Sequence, residues 1–200
     1  MFKVSTDWNP KQAKLKSIIL KPENFKEAIE LAIQLHSLVH SKEVSASKAD
    51  TFYDEVLDGV SDKCFKKITY DKSRTFAYNI WHITRIEDIC SNILIAKDEQ
   101  VINTSRWIDK LNCTIIDTGN ALTAEEIADF SEKIDRKQLL EYRVAVGKKT
   151  QRILNQLKPE EMKRKVNPLS LERVIDEGAV SSEEEAIWLV DFWGEKILLA

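Results

Sequence analysis

The chain has 200 residues with 30 basic and 33 acidic side chains, net charge -3 and well-mixed signs. It therefore lacks the basic excess by which a nucleic-acid binder neutralises phosphates. No apolar run approaches the roughly 20 residues needed to cross a membrane. Three widely spaced cysteines, Cys64, Cys90 and Cys113, with no CxxC pair, argue against a disulfide framework or a structural zinc site.

Only 5 glycines and 4 prolines leave few positions for tight turns, which favours a few long helices over a many-stranded β fold. The opening MFKVSTDWNPKQ lacks the apolar region of a signal peptide, so a cytoplasmic protein is expected.

Residues 14–20 (KLKSIIL) suit a short helix or strand closed by Pro22. Pro22, Glu23 and Asn24 then suit a helical first turn. Phe25, Ala28, Ile29, Ala32, Ile33, Leu35, Leu38 and Val39 form its apolar stripe. His36 and His40 stand four apart on this helix and project from one face, the spacing of a metal clamp. The polar run SKEVSASK after His40 supports a different reading, a helix end at the surface. Residues 51–60 and 61–68 each hold about two helical turns separated by Gly59, a long connection that covers one end of a bundle.

The organising helix is predicted over residues 75–96, within a stretch that begins at Ser73. Phe76, Ile80, Ile83, Ile86 or Glu87, Cys90, Ile93 and Leu94 recur at helical spacing, and Cys90 is expected to be a buried thiol. His82 lies in its middle, after Trp81. A histidine so placed ligates a metal, shuttles a proton, or sits in the core satisfied by a neighbour. Arg85, Glu87 and Asp88 read as an interhelix ion-pair and cap network. Tyr78 and Asn79, one turn before His82, read as packing groups that could instead orient a ligand.

Residues 105–111 form a short helix, and Gly119-Asn120 a turn. Thr123 begins a T-x-x-E capping box for a helix to about Ile134. Asp135 caps a helix over 136–157 whose buried stripe is Leu139, Leu140, Tyr142, Arg143, Val146, Thr150, Ile153, Leu154 and Leu157. Gly147 inside it costs about 1 kcal/mol relative to Ala, which points to close helix approach there. Residues 158–165 allow another turn, and 168–175 a short helix before Gly178. Ser181 or Ser182 caps the last helix, where Glu183, Glu184 and Glu185 complement the dipole. Ile187, Trp188, Val190, Phe192 and Ile197 are its apolar body.

There is no G-x-S-x-G elbow, no glycine-rich phosphate loop, no G-x-G-x-x-G and no Glu-x-x-His pair of the di-iron type. With 3 histidines in the chain, a histidine metal site must draw on His36, His40 and His82.

The run FAYNIWHITRIEDICSNILIA resembles the DinB/YfiT-like family, in a branch common in Gram-positive bacteria. So do LHSLVHSKEVS, WIDKLNCTIIDTGNALTAEEIADFS, YRVAVGKKTQRI and WLVDFWGEKI. The resemblance implies an all-α four-helix bundle with short accessory helices in long connections. Residues 1–24 are then a lead-in and 25–200 the bundle domain, its last helix cut short. It also implies a divalent metal ion (zinc, nickel or manganese) and metal-dependent hydrolysis or thiol S-transfer on an unknown small-molecule substrate.

Metal-binding members use one histidine on the second long helix, which carries over to His82, and an H-x-x-x-H pair on the last helix. That pair has no counterpart here, where the last helix offers Trp188, Asp191, Phe192 and Trp193. Two expectations follow. His36 and His40 converge with His82 in a different three-histidine site that leaves positions for water and substrate. Alternatively, the fold persists with an incomplete site and no metal, as a binding or assembly protein. A shortened last helix would then expose apolar surface around Trp188 and Trp193 for a homodimer. Neither nucleic acid nor membrane is expected as a partner.

Overall fold

The computed structural model describes residues 2–68 and 74–196, and the expectations attached to Ser73 and Ile197 lie outside them. The fold is all-α: no strand occurs among the described residues. The helices are α1 (Asn9–Ile18), α2 (Phe25–Leu38), α3 (Lys42–Ser45), α4 (Phe52–Leu57), α5 (Asp62–Lys66), α6 (Phe76–Asp88), α7 (Trp107–Leu111), α8 (Ala124–Lys133), α9 (Arg136–Gln156), α10 (Pro168–Asp176) and α11 (Glu184–Gly194).

Short polar side chains start most of these helices by accepting from otherwise orphaned backbone N–H groups. Thr51 and Thr123 form capping boxes with Asp54 and Glu126. Thr75, Asp135 and Asn167 cap α6, α9 and α10. The last helix differs from expectation. Its N-cap is Glu183 without a side-chain cap bond, and Ser181 instead accepts from the Glu183 N–H at 3.2 Å. Near the N-terminus, helix replaces the ambiguous helix or strand, because Pro10 presets a first turn.

α6 and α9 are the central pair. Between them Trp81 stands 6.1 Å from Tyr142, and Tyr142 5.6 Å from Trp107. With Leu139, Val146, Leu111 and Phe65, these side chains build the largest apolar cluster, each contributing about 1.5–3 kcal/mol on burial. A second cluster joins Ile89 and Ile93 to Val174, Ala186 and Leu189 of α10 and α11. A third ties Ile18 of α1 to Ala28, Leu31 and Met162.

The organising helix runs unbroken through residue 96, but residues Ile89–Ala96 are wound as π-helix. The side chains give a reason. Ser91 Oγ donates to the Glu87 carbonyl at 2.6 Å and Asn92 Nδ2 to the Asp88 carbonyl at 3.0 Å. Those carbonyls would otherwise take the i+4 amides, so side-chain bonds compete with the ladder and favour the wider turn.

Asp88 locks the junction below. Its carboxylate accepts from Arg85 Nη1 (2.9 Å), Tyr142 OH (2.6 Å), Asn92 Nδ2 (2.7 Å) and the N–H groups of Val101 and Ile102 (2.8 and 2.9 Å). Both partners of the Arg85–Asp88 pair are fully buried, but the pair forms within α6 rather than between helices, and Tyr142 of α9 carries the link across.

Two apolar details refine the expectation. Cys90 is partly exposed as a residue, yet burial pushes its thiol up to about 12, and Cys113 is a second buried thiol. Trp193 is buried, while Trp188 and Phe192 on the adjoining face of α11 are 50% and 46% exposed.

Candidate metal centre

α2 ends between the two histidines, with His36 in its last turn and His40 just past Val39. Other elements satisfy the open carbonyls of that end. Arg143 Nη2 of α9 donates to the Val39 carbonyl at 2.7 Å, and Thr51 Oγ1 donates to the His40 carbonyl at 2.6 Å. The backbone carrying both imidazoles is therefore pinned from two sides, and the rings stack with centroids 4.2 Å apart.

Glu87 reaches them from α6. Its Oε1 lies 2.8 Å from His36 Nε2 and its Oε2 lies 2.7 Å from His40 Nε2. α9 closes the third side. A Cβ built on Gly147 would lie 2.6 Å from His40 Nδ1, so only glycine lets the imidazole lie against this helix. Gln151 Nε2 is 3.3 Å from His36 Nδ1 and donates to Ser37 Oγ at 2.9 Å. Arg143 Nη1 stands 4.0 Å from Glu87 Oε2 and donates to Thr84 Oγ1 at 3.2 Å, with its guanidinium 5.0 Å from the Tyr53 ring centre.

Burial sets the charges. His40 has 1% of its side chain exposed, and desolvation pushes its pKa down to about 4 against the pull of Glu87. For Glu87, desolvation works upward, but the bonds from His36 and His40 outweigh it and hold the carboxyl well below the usual range. A neutral His40 therefore donates its Nε2–H to an ionised carboxylate, and this network assigns the tautomer.

Among the described residues, His36, His40 and Glu87 form the group whose ligand atoms lie close enough to share an ion, all within 4.8 Å of one another. A tetrahedral ion with ligands at 2.0–2.1 Å spaces them about 3.3 Å apart, within reach of small rotations. Two imidazoles and one carboxylate suit zinc, nickel or manganese. An ion at Nε2 moves each ring proton to Nδ1. His36 Nδ1 already faces the Gln151 amide, which can turn its oxygen toward that proton. His40 Nδ1 is buried without a hydrogen-bond partner.

His82 is elsewhere. Its Nδ1–H donates to the Thr118 carbonyl at 2.8 Å, and Tyr78 stacks on it at 5.7 Å. Glu87 lies five positions after His82, which places the two roughly 140° apart around α6. The three histidines thus do not converge, and Glu87 takes the third position that the sequence reading gives to His82. Tyr78, buried and donating to the Gly119 carbonyl at 2.9 Å, has the packing role. Periodicity hints at Glu87 only through one ambiguity, the stripe position shared between Ile86 and Glu87.

No protein-family model matches this chain, and no curated protein matches it.

Proposed function

We propose that this chain is a DinB/YfiT-like helical metalloprotein in which His36, His40 and Glu87 hold one divalent ion. Positions left free on the ion would take water and a small-molecule substrate, for hydrolysis or thiol S-transfer. The observation supporting this reading is the convergence of two imidazole Nε2 atoms and a carboxylate from two separate helices. A bound ion supplies Lewis acidity and lowers the pKa of coordinated water. The chain's own residues fix the donors: Gly147 seats His40, Gln151 orients His36, and Arg143 holds the Val39 carbonyl at the end of α2.

A second reading is favoured by a different observation. Without an ion, both Nε2–H groups and the carboxylate already satisfy one another, and Arg143 adds charge to the same carboxylate. In that reading the three residues are an interhelix clasp in a non-catalytic binding or assembly protein.

Chelator-stripped protein dialysed against zinc, nickel or manganese separates the two. The metalloprotein reading expects about one ion per chain, lost in Glu87→Ala and in His36→Ala and kept in His82→Ala. Metal at background in the unmodified protein would sink it and leave the clasp. Ion uptake lost in His82→Ala alone would move the site to His82.

A further inference from the structure

We propose that the ion at His36, His40 and Glu87 binds together with a small oxyanion, a carboxylate or phosphate group, recruited by the combined charge of the ion and Arg143. This rests on the metalloprotein reading and adds the chemical class of the ligand that completes the site.

An ion at these residues would add charge to a mostly desolvated place. Exposure of the side chains is 1% for His40, 4% for Arg143, 13% for His36 and 18% for Glu87. With neutral imidazoles, Glu87 and Arg143 balance, and the cluster carries no net charge. A divalent ion leaves a surplus of two positive charges in the same space.

Nothing already bound to these groups offsets that surplus. The remaining Arg143 partners, Thr84 Oγ1, the Val39 carbonyl and the Tyr53 ring, are uncharged. Asp54, on neighbouring α4, is taken up by the N–H groups of Lys42 and Thr51. Unpaired charge removed from water is strongly unfavourable, so an anion on the ion is the natural relief.

The structure also favours a particular kind of anion. Arg143 Nη1 stands 4.0 Å from Glu87 Oε2, so the guanidinium lies beside the place an ion would take. A carboxylate or phosphate presents two or more oxygens, one for an ion and another for an N–H donor, whereas a halide has a single centre. Solvent reaches the cluster at the partly exposed edges of His36 and Glu87, which restricts the ligand to a small group or the tip of a larger molecule.

Zinc affinity of the full chain, measured by competition with a chromophoric chelator, tests this in the presence and absence of acetate and of methylphosphonate. Acetate and methylphosphonate are then titrated calorimetrically into zinc-loaded and zinc-free protein. Tightening of zinc by about tenfold with at least one anion is expected, and by linkage that anion binds the zinc-loaded form about tenfold more tightly. The arm that responds identifies carboxylate or phosphate. Arg143→Met should reduce the enhancement to under about twofold, while Arg143→Lys, which keeps the charge but not the guanidinium donors, should retain only part of it. If Arg143→Met does not fold, the anion dependence of the unmodified protein decides alone. Zinc bound equally with and without either anion overturns the inference and leaves the metal site standing. Equal anion binding with and without zinc also overturns it. No zinc binding at all removes the metalloprotein reading, and this inference with it.

Discussion

Acid should weaken this protein through His40 before it reaches the carboxylates. In the folded chain, burial holds His40 at about 4, against an ordinary 6.5. Between those values the unfolded chain takes up a proton that the folded chain refuses. The stabilisation is therefore fully present above 6.5 and is lost as pH falls toward about 4. The whole difference corresponds to about 3 kcal/mol, and a fall from about pH 7 to about pH 5 removes about 2 kcal/mol of it.

Glu87 stays ionised across that window. Its carboxyl is held below its ordinary 4.5, so its contribution is present above that value and is lost only in stronger acid. Urea unfolding followed by tryptophan fluorescence, on the unmodified chain and on His40→Gln, isolates the effect. The unmodified protein should lose about 2 kcal/mol more than the variant between about pH 7 and pH 5. Equal losses would show that His40 titrates alike in folded and unfolded chains, and would refute the burial argument.

Three further substitutions probe the frame around the site. Gly147→Ala places a Cβ 2.6 Å from His40 Nδ1 and 3.1 Å from Val44 Cγ2. Overpacking of about 1–3 kcal/mol should exceed the gain of about 1 kcal/mol in helix propensity, so denaturation should show a net loss and metal uptake should weaken. Asp88→Asn breaks a buried pair and sets an amide against several donors. Calorimetry should show a loss of about 3–5 kcal/mol with the site residues untouched. Thr123→Ala removes the α8 capping box far from the site and should cost about 1 kcal/mol with metal uptake unchanged.

Much of the helical plan is legible in residue types, because caps and stops act locally. Thr123, Asp135 and Gly178 mark their boundaries by chemistry that needs no tertiary contact. Gly147 goes further, since a glycine inside a strong helix signals a close neighbour, and that neighbour is the ring of His40. The site itself is less legible. Periodicity places His36 and His40 on one face of α2 but says nothing of how α2 and α6 are rotated against each other. The bonds to Glu87 span 51 and 47 residues of chain, beyond any local rule. A histidine in mid-helix suggests a ligand at His82, yet its Nδ1–H is engaged by the Thr118 carbonyl in the segment that follows α7. The π winding of residues Ile89–Ala96 is hidden for a similar reason. Ser and Asn in a helix compete for carbonyls only when their rotamers turn back along it.

The most direct test of the central claim is an anomalous difference map from crystals of the chelator-stripped protein soaked in zinc, recorded at the zinc edge. One strong peak is expected within about 2.1 Å of His36 Nε2, His40 Nε2 and a Glu87 oxygen, with no peak there in Glu87→Ala crystals. A peak beside His82 instead, or none at either place, would contradict it.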